Sequence, residues 1–443
     1  MIRVDETQTM NPSIIEYLIK EFKINELPRL EHLGQYYVGN QEILNRTMED
    51  VTKPNNKAVN PYANFITDMF TGYFLGSPIR YKTTTEEVAL EELKLIFELN
   101  NEADQNTEIG KDASVYGRAY EMLYVDFKGS TRFKKVSPME VITIYDNTIE
   151  EELLYTIRFY SATDIMGLNA HTIAEVYSRD SITIYKGGDN FTTFEMQTEK
   201  PHYFGLVPFV EYKNNGVMLG DFELVIPLID SYDKLESDTL NDFEAFTDAY
   251  LSLSGVDADS EDIKTMKENR VMLLPQGASA SFLTKNVNDA SQENLKSRID
   301  SDIHKFSKCP DLTDQNFAGT SSGVAMKYKL MGFENVASIK ESKFKKGIQR
   351  RIELISNVMS MTSTGFDYRS IELVFVRNIP SNSVEIADVV NKLRGLLSKE
   401  TLIAQVPFVK NVQDELLLIK NEVAIPSVDS MFAETSNTDT SAK

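Results

Sequence analysis

Between Asp221 and Gly255 the apolar residues Val225, Ile229, Tyr232, Leu235, Phe243, Phe246, Tyr250 and Leu253 recur at near-helical intervals, with Pro227 tolerable in an opening turn. A helix of about 27 residues rising 1.5 Å per residue would be about 40 Å long, more than the average helix of a compact domain. In a chain of 443 residues this favours two or three packed units, or one elongated subunit of an assembly. The polar positions of the run are one-sided: Asp221, Glu223, Asp230, Asp233, Glu236, Asp238, Asp242, Glu244 and Asp248 stand against Lys234 alone. Either this is a solvated face, or it is an acidic lining repeated around a ring, with Asp230, Asp233 and Asp242 as its candidate residues.

The rest of the chain reads as helix-rich α+β. Ile14, Ile15, Leu18 and Phe22 predict a helix with Ser13 as its N-cap, and Val88, Leu90, Leu93, Ile96 and Phe97 predict another over Glu86–Leu99. β-Branched and aromatic runs predict strands at Tyr120–Val125, Val141–Tyr145, Leu154–Tyr160, Ile173–Tyr177 and Ser181–Tyr185. After Gly255 a small α/β insert precedes a helix over Ala290–Phe306, which could run antiparallel to the first long helix. A further helical pattern spans Val324–Met359, with Gly332 and Gly347 as candidate bends. There the charge reverses, and Lys340, Lys343, Lys346 and Arg350 are candidates to meet phosphate or the acidic helix of a neighbouring subunit, a solvated face being the alternative. A strand at Ile371–Arg377 and helices over Ser383–Leu397, Lys399–Gln405 and Val412–Asn421 follow. The polar residues 433–443 carry too little apolar surface to order.

Several function classes are disfavoured. A formal charge of -21 opposes tight nonspecific attachment to nucleic acid, though not its passage. The single Cys309 excludes an internal disulfide framework, no run is long and apolar enough to cross a bilayer, and the opening residues lack a leader pattern, so a soluble, intracellularly made protein is expected. Gly319, Ser321 and Gly323 fit G-x-S-x-G, but a nucleophile elbow needs a buried strand leading into the serine, and polar LTDQNFAG precedes this one. A serine hydrolase using Ser321 therefore stands only as a rival reading, and no catalytic residue is assigned. No phosphate-binding loop occurs. His32, His171, His202 and His304 are scattered; His304 and Cys309 are close in sequence, yet two donors do not make a metal site, and no metal or cofactor is expected.

The segments HLGQYYVGNQEIL, PNNKAVNPYANFITDMFTGYFLGSPIRY, KDASVYGRAYEML, HYFGLVPFVEYKNN, GDFELVIPLIDSYDKLESDTLND, FAGTSSGVAMKYKLMGFEN and LRGLLSKETLIAQVPFV resemble, in order, those of portal proteins from long-tailed bacteriophages infecting Gram-positive bacteria. The resemblance implies a phage portal fold: an α/β wing at 1–220, stem helices at 221–254 and 289–307 flanking a clip at 255–288, a tunnel loop at 308–323, a long helix and wing strand at 324–380, and crown helices at 381–432. It implies a dodecameric ring at the capsid vertex of the virion, assembled in the host bacterial cytoplasm, through which double-stranded DNA is packaged and ejected. The implied partners are the terminase large subunit, a head-tail adaptor, and major capsid and scaffolding proteins, with no membrane. Gln315, Asn316, Phe317, Gly319, Thr320, Ser321, Ser322 and Gly323 would form the loop facing DNA, a placement nearer Met331–Phe333 being the alternative. Lys264, Lys267 and Arg270 would serve docking at the clip. A non-channel adaptor or scaffold is the remaining rival.

Overall fold

The computed structural model describes residues 2–50, 53–163, 165, 171–247, 250–255, 259, 261, 264, 276–283, 289–311, 328–362, 365–378, 383–406, 409 and 412–424. The chain divides into two compact units, Met1–Asn378 and Ile379–Lys443.

In the first unit the strands β1 (Ile2–Val4), β5 (Val141–Asp146), β6 (Leu153–Ala162), β7 (His171–Tyr177), β8 (Ser181–Gly187) and β9 (Glu195–Pro201) lie side by side in that order. All neighbours are antiparallel except β1, which runs parallel to β5. The helices α1 (Pro12–Asn25) and α2 (Leu27–Tyr37) supply Ile15, Ile19, Phe22 and Leu30 to a core with Ile142, Ile144, Ile157, Phe159 and Val176. The cap of α1 is Asn11, whose side chain accepts from the Ile14 amide at 3.0 Å, with Pro12 opening the helix. Ser13, the expected cap, lies inside the helix. The outer strand β9 is exposed along most of its length and carries Glu195, Glu199, Lys200 and a terminal Pro201, residues that discourage pairing with a further strand.

A second sheet of β10 (Phe209–Lys213), β3 (Arg118–Val125) and β4 (Thr131–Val136) packs on α5 (Glu102–Tyr116) and on α8 (Met331–Thr362). The turn from α5 into β3 requires glycine: Gly117 has φ +81°, and a Cβ there would stand 1.9 Å from the Met218 carbonyl oxygen. The helix α8 is continuous through Gly347. Rather than bending the helix, Gly347 lets the Tyr212 ring close on it; a Cβ would meet that ring at 2.4 Å.

The helix α3 (Tyr62–Leu75) places Ile66 and Phe70 in a third core with Val225, Ile229, Ile303 and Phe333. That core joins α6 (Ile226–Thr247) to α7 (Asp289–Ser307). Ile299 and Ile303 of α7 lie at the cluster around the start of α6, while Lys296 reaches Glu236 further along α6 at 2.8 Å, so the two helices run in opposite directions. The helix expected to continue to Gly255 ends at Thr247, and Tyr250–Ser254 forms instead strand β11, paired antiparallel with β12 (Ser279–Leu283). Aromatic and alternating residues near its end suit a strand as well as a helix, and a nonlocal partner decides between them. The short pair β2 (Arg80–Lys82) and β13 (Glu372–Val374) also belongs to this unit, as does α4 (Glu87–Leu99).

The second unit contains α9 (Ser383–Leu393), α10 (Lys399–Ala404) and α11 (Val412–Ala424). Ser398 caps α10 by accepting from the Thr401 amide at 3.2 Å. The α10 and α11 helices pack together.

Candidate nucleic-acid interface

The acidic run from Glu223 through α6 is occupied by partners from its own chain. Arg29 donates from Nε and Nη2 to Glu223 at 2.7 and 2.6 Å. Tyr36 donates to Asp230 at 2.5 Å, Arg46 pairs with Asp238 at 2.5 Å, and Lys296 pairs with Glu236 at 2.8 Å. Along one stripe of α6, Asp233, Ser237 and Asn241 accept in turn from the backbone amides of Asn60, Ala58 and Asn56, at 2.9, 2.9 and 2.7 Å. The match is geometric. Every fourth residue of a helix advances about 6.0 Å, and every second residue of an extended chain advances about 6.6 Å. A helix stripe of short acceptors can therefore receive alternate amides of an extended segment lying against it.

This geometry overturns the expectation for Asp233. Its relative exposure is 0%, its Oδ1 is shared by the Asn60 amide and side chain, and burial raises its pKa to about 6. It does not line a channel. Asp230 is partly buried under Tyr36, while Asp242 and Glu244 lie toward the end of the helix, where Glu244 accepts from Asn56 at 2.8 Å.

The basic residues of α8 separate by face. Lys340, 4% exposed, donates to Asp221 and to Ser114, so it is not a phosphate contact. Burial lowers its pKa, and Asp221 opposes that shift. Arg351, 0% exposed, lies between Glu121 at 2.8 Å and Glu102 at 3.4 Å, with its guanidinium 4.5 Å from the Phe133 ring centroid. Burial disfavours the Arg351 charge, but Glu121, Tyr212 and Glu102 outweigh it and raise its pKa. Lys343 and Lys346 are exposed, and Arg350 is partly buried with an ion pair to Glu353 at 2.8 Å. The signal for this division was present in the sequence: Lys340 and Arg351 fall on the stripe of Phe344, Ile348 and Ile355, all buried, whereas Lys343 and Lys346 fall off it.

The candidate loop residues Gln315, Asn316, Phe317, Gly319, Thr320, Ser321, Ser322 and Gly323 lie outside the described residues, as do Lys267 and Arg270; Lys264 is described and exposed. The ladder Asp233, Ser237 and Asn241 was not recognised in the sequence, although its four-residue repeat of short acceptors was there to read.

The family described as phage portal protein, SPP1 Gp6-like, matches residues 17–424. The portal protein of Bacillus phage SPP1 is 24% identical over 395 residues, covering 84% of this chain and 77% of its own. The portal protein of Clostridium phage phiCD119 is 24% identical over 423 residues, covering 88% of this chain and 91% of its own. A solved structure described as the neck of an empty GTA particle computed with C6 symmetry aligns over 81% of this chain and 90% of its own, at 10% identity and a TM-score of 0.43. The family match takes in the buried ion pairs, the α6 ladder and the exposed lysines of α8 alike, and the chain belongs to the SPP1 Gp6-like family of phage portal proteins.

Proposed function

We propose that this chain is one subunit of a closed ring at a capsid vertex, with double-stranded DNA passing through its axis during packaging and ejection. The observation that carries this reading is the family match over residues 17–424. The antiparallel α6 and α7 would form the stem, and the segment between them, including the β11–β12 pair and Lys264, would form the clip that docks the terminase large subunit and the head-tail adaptor. Capsid and scaffolding proteins would surround the wing, and the helices within residues 381–432 would form the crown.

The charge geometry supports guidance without capture. Most of the named carboxylates on α6 are already engaged within the chain, so the stem would offer DNA a polar wall rather than a dense line of bare acids. Lys343 and Lys346 are the exposed cations of the named set and would make brief contacts with phosphate or with a neighbouring subunit. Residues 315–323 remain the proposed channel loop.

Electron microscopy of the purified full chain, viewed down the symmetry axis, tests the reading. Rings with an axial hole are expected; particles of one subunit at all concentrations, or compact oligomers without a hole, would exclude it.

A further inference from the structure

In sequence His304 is paired with Cys309, but the fold pairs it with two carboxylates. Asp300 and His304 are one turn apart on α7, and the chain returns after a turn at Lys308, φ +61°, to bring Asp311 to them. One ligand-type atom from each of Asp300, His304 and Asp311 lies within 4.8 Å of the others. Cys309 contributes its backbone carbonyl, which faces His304 Nδ1 at 3.0 Å. A carbonyl can only accept, so Nδ1 carries the proton. The lone pair of the neutral ring is then on Nε2, which faces Asp300 Oδ1 at 3.6 Å, too far for a hydrogen bond.

That separation suits a shared cation. Two donors at about 2.1 Å from a tetrahedral zinc ion are about 3.4 Å apart. The surroundings have the form that supports metal-binding histidines and carboxylates, in which outer hydrogen bonds fix the ligands. Besides the carbonyl on Nδ1, Tyr62 donates to Asp300 Oδ1 at 2.6 Å, and the rings of Tyr62 and Phe65 stand edge-on to the imidazole with centroids 6.2 and 5.8 Å away. All three ligand residues are partly exposed, which leaves room for water to complete the coordination.

We infer that Asp300, His304 and Asp311 form a binding site for one zinc-class divalent cation, tying the end of α7 to the chain that follows it. The imidazole favours zinc over magnesium or calcium, for which all-oxygen sites are usual. The assignment does not depend on the ring or DNA reading, and it stands or falls separately.

The test uses the full chain, treated with chelator, desalted and titrated with zinc chloride in a calorimeter, with His304→Gln and Asp311→Asn as variants. One zinc per chain is expected, with affinity reduced at least about tenfold in each variant and a zinc-dependent rise in melting temperature that both variants lose. Asp311→Asn changes a partly exposed residue beyond the helix, so it reports on the site even where His304→Gln disturbs packing. Absence of a saturable equivalent in the wild type, or binding as tight in both folded variants, would overturn the assignment. Equal saturation by magnesium at the same concentrations would overturn its zinc-class character.

Discussion

Arg351 is the residue on which the central core turns. It enters from α8 between Glu121 of β3 and Glu102 of α5, and Tyr212 and Tyr81 donate to those same carboxylates at 2.8 and 2.5 Å. Removing one partner of a buried pair leaves the other charge without compensation, which typically costs about 3–5 kcal/mol. Arg351→Ala is expected to lose that order of stability in urea unfolding followed by circular dichroism, while Lys346→Ala, at an exposed position, should stay within about 0.5 kcal/mol of wild type. Equal effects from the two would remove Arg351 from its structural role. Asp233 gives a different kind of signature. Its folded pKa of about 6 lies above the ordinary 3.8, so between those values the folded chain holds a proton that the unfolded chain has released. Its contribution to stability is present below about pH 4 and is lost as pH rises through 6. The melting temperature of Asp233→Asn, measured relative to wild type, should therefore climb between pH 4 and 6 and level off above. A difference independent of pH would mean that Asp233 ionises normally in the fold.

At the scale of elements, α6 is stable because an extended strap satisfies its polar stripe and is itself satisfied in return. Ser237→Ala would leave the Ala58 amide without its acceptor while changing little volume. An expected cost of about 1–3 kcal/mol should be accompanied by faster amide exchange at Ala58 and Asn60, measured by hydrogen–deuterium exchange; unchanged exchange would show that the strap does not depend on the ladder. This element also shows what could be read from sequence. The strands β3, β5, β6, β7 and β8 announced themselves through β-branched and aromatic runs, and α4, α7, α9, α10 and α11 through apolar spacing, because those signals are local. The helix α5 did not, because Glu102, Asn106, Asp112 and Ser114 are buried on it and it enters the core through ion pairs and hydrogen bonds. Likewise nothing within residues 221–248 says that Asn56, Ala58 and Asn60, remote in sequence, will cover the acids. A charge run reads as a surface until its partners are known.

For the whole molecule, the intrachain use of α6 changes what should drive the proposed ring together. A sequence with an acidic helix and a basic helix invites a picture in which α6 of one copy attracts α8 of the next. Here Lys340 and Arg351 are consumed inside the chain, and so are the partners of Glu223, Asp230, Asp233 and Asp238. Among the described residues named on α6 and α8, most charges are thus engaged within the chain, with Lys343 and Lys346 left exposed, while each copy still carries a formal charge of -21. Mutual repulsion then dominates the long-range electrostatics of assembly. Its reach shrinks from about 30 Å at 0.01 M salt to about 8 Å at 0.15 M. The fraction of chains in rings, measured by mass photometry at fixed protein concentration, should therefore rise as sodium chloride is raised across that range, and Lys343→Glu with Lys346→Glu should move the transition to higher salt by adding to the repulsion. A ring fraction that falls with salt would instead mean that opposite charges between copies hold the assembly, and the intrachain pairing of α6 would have to open when the ring closes.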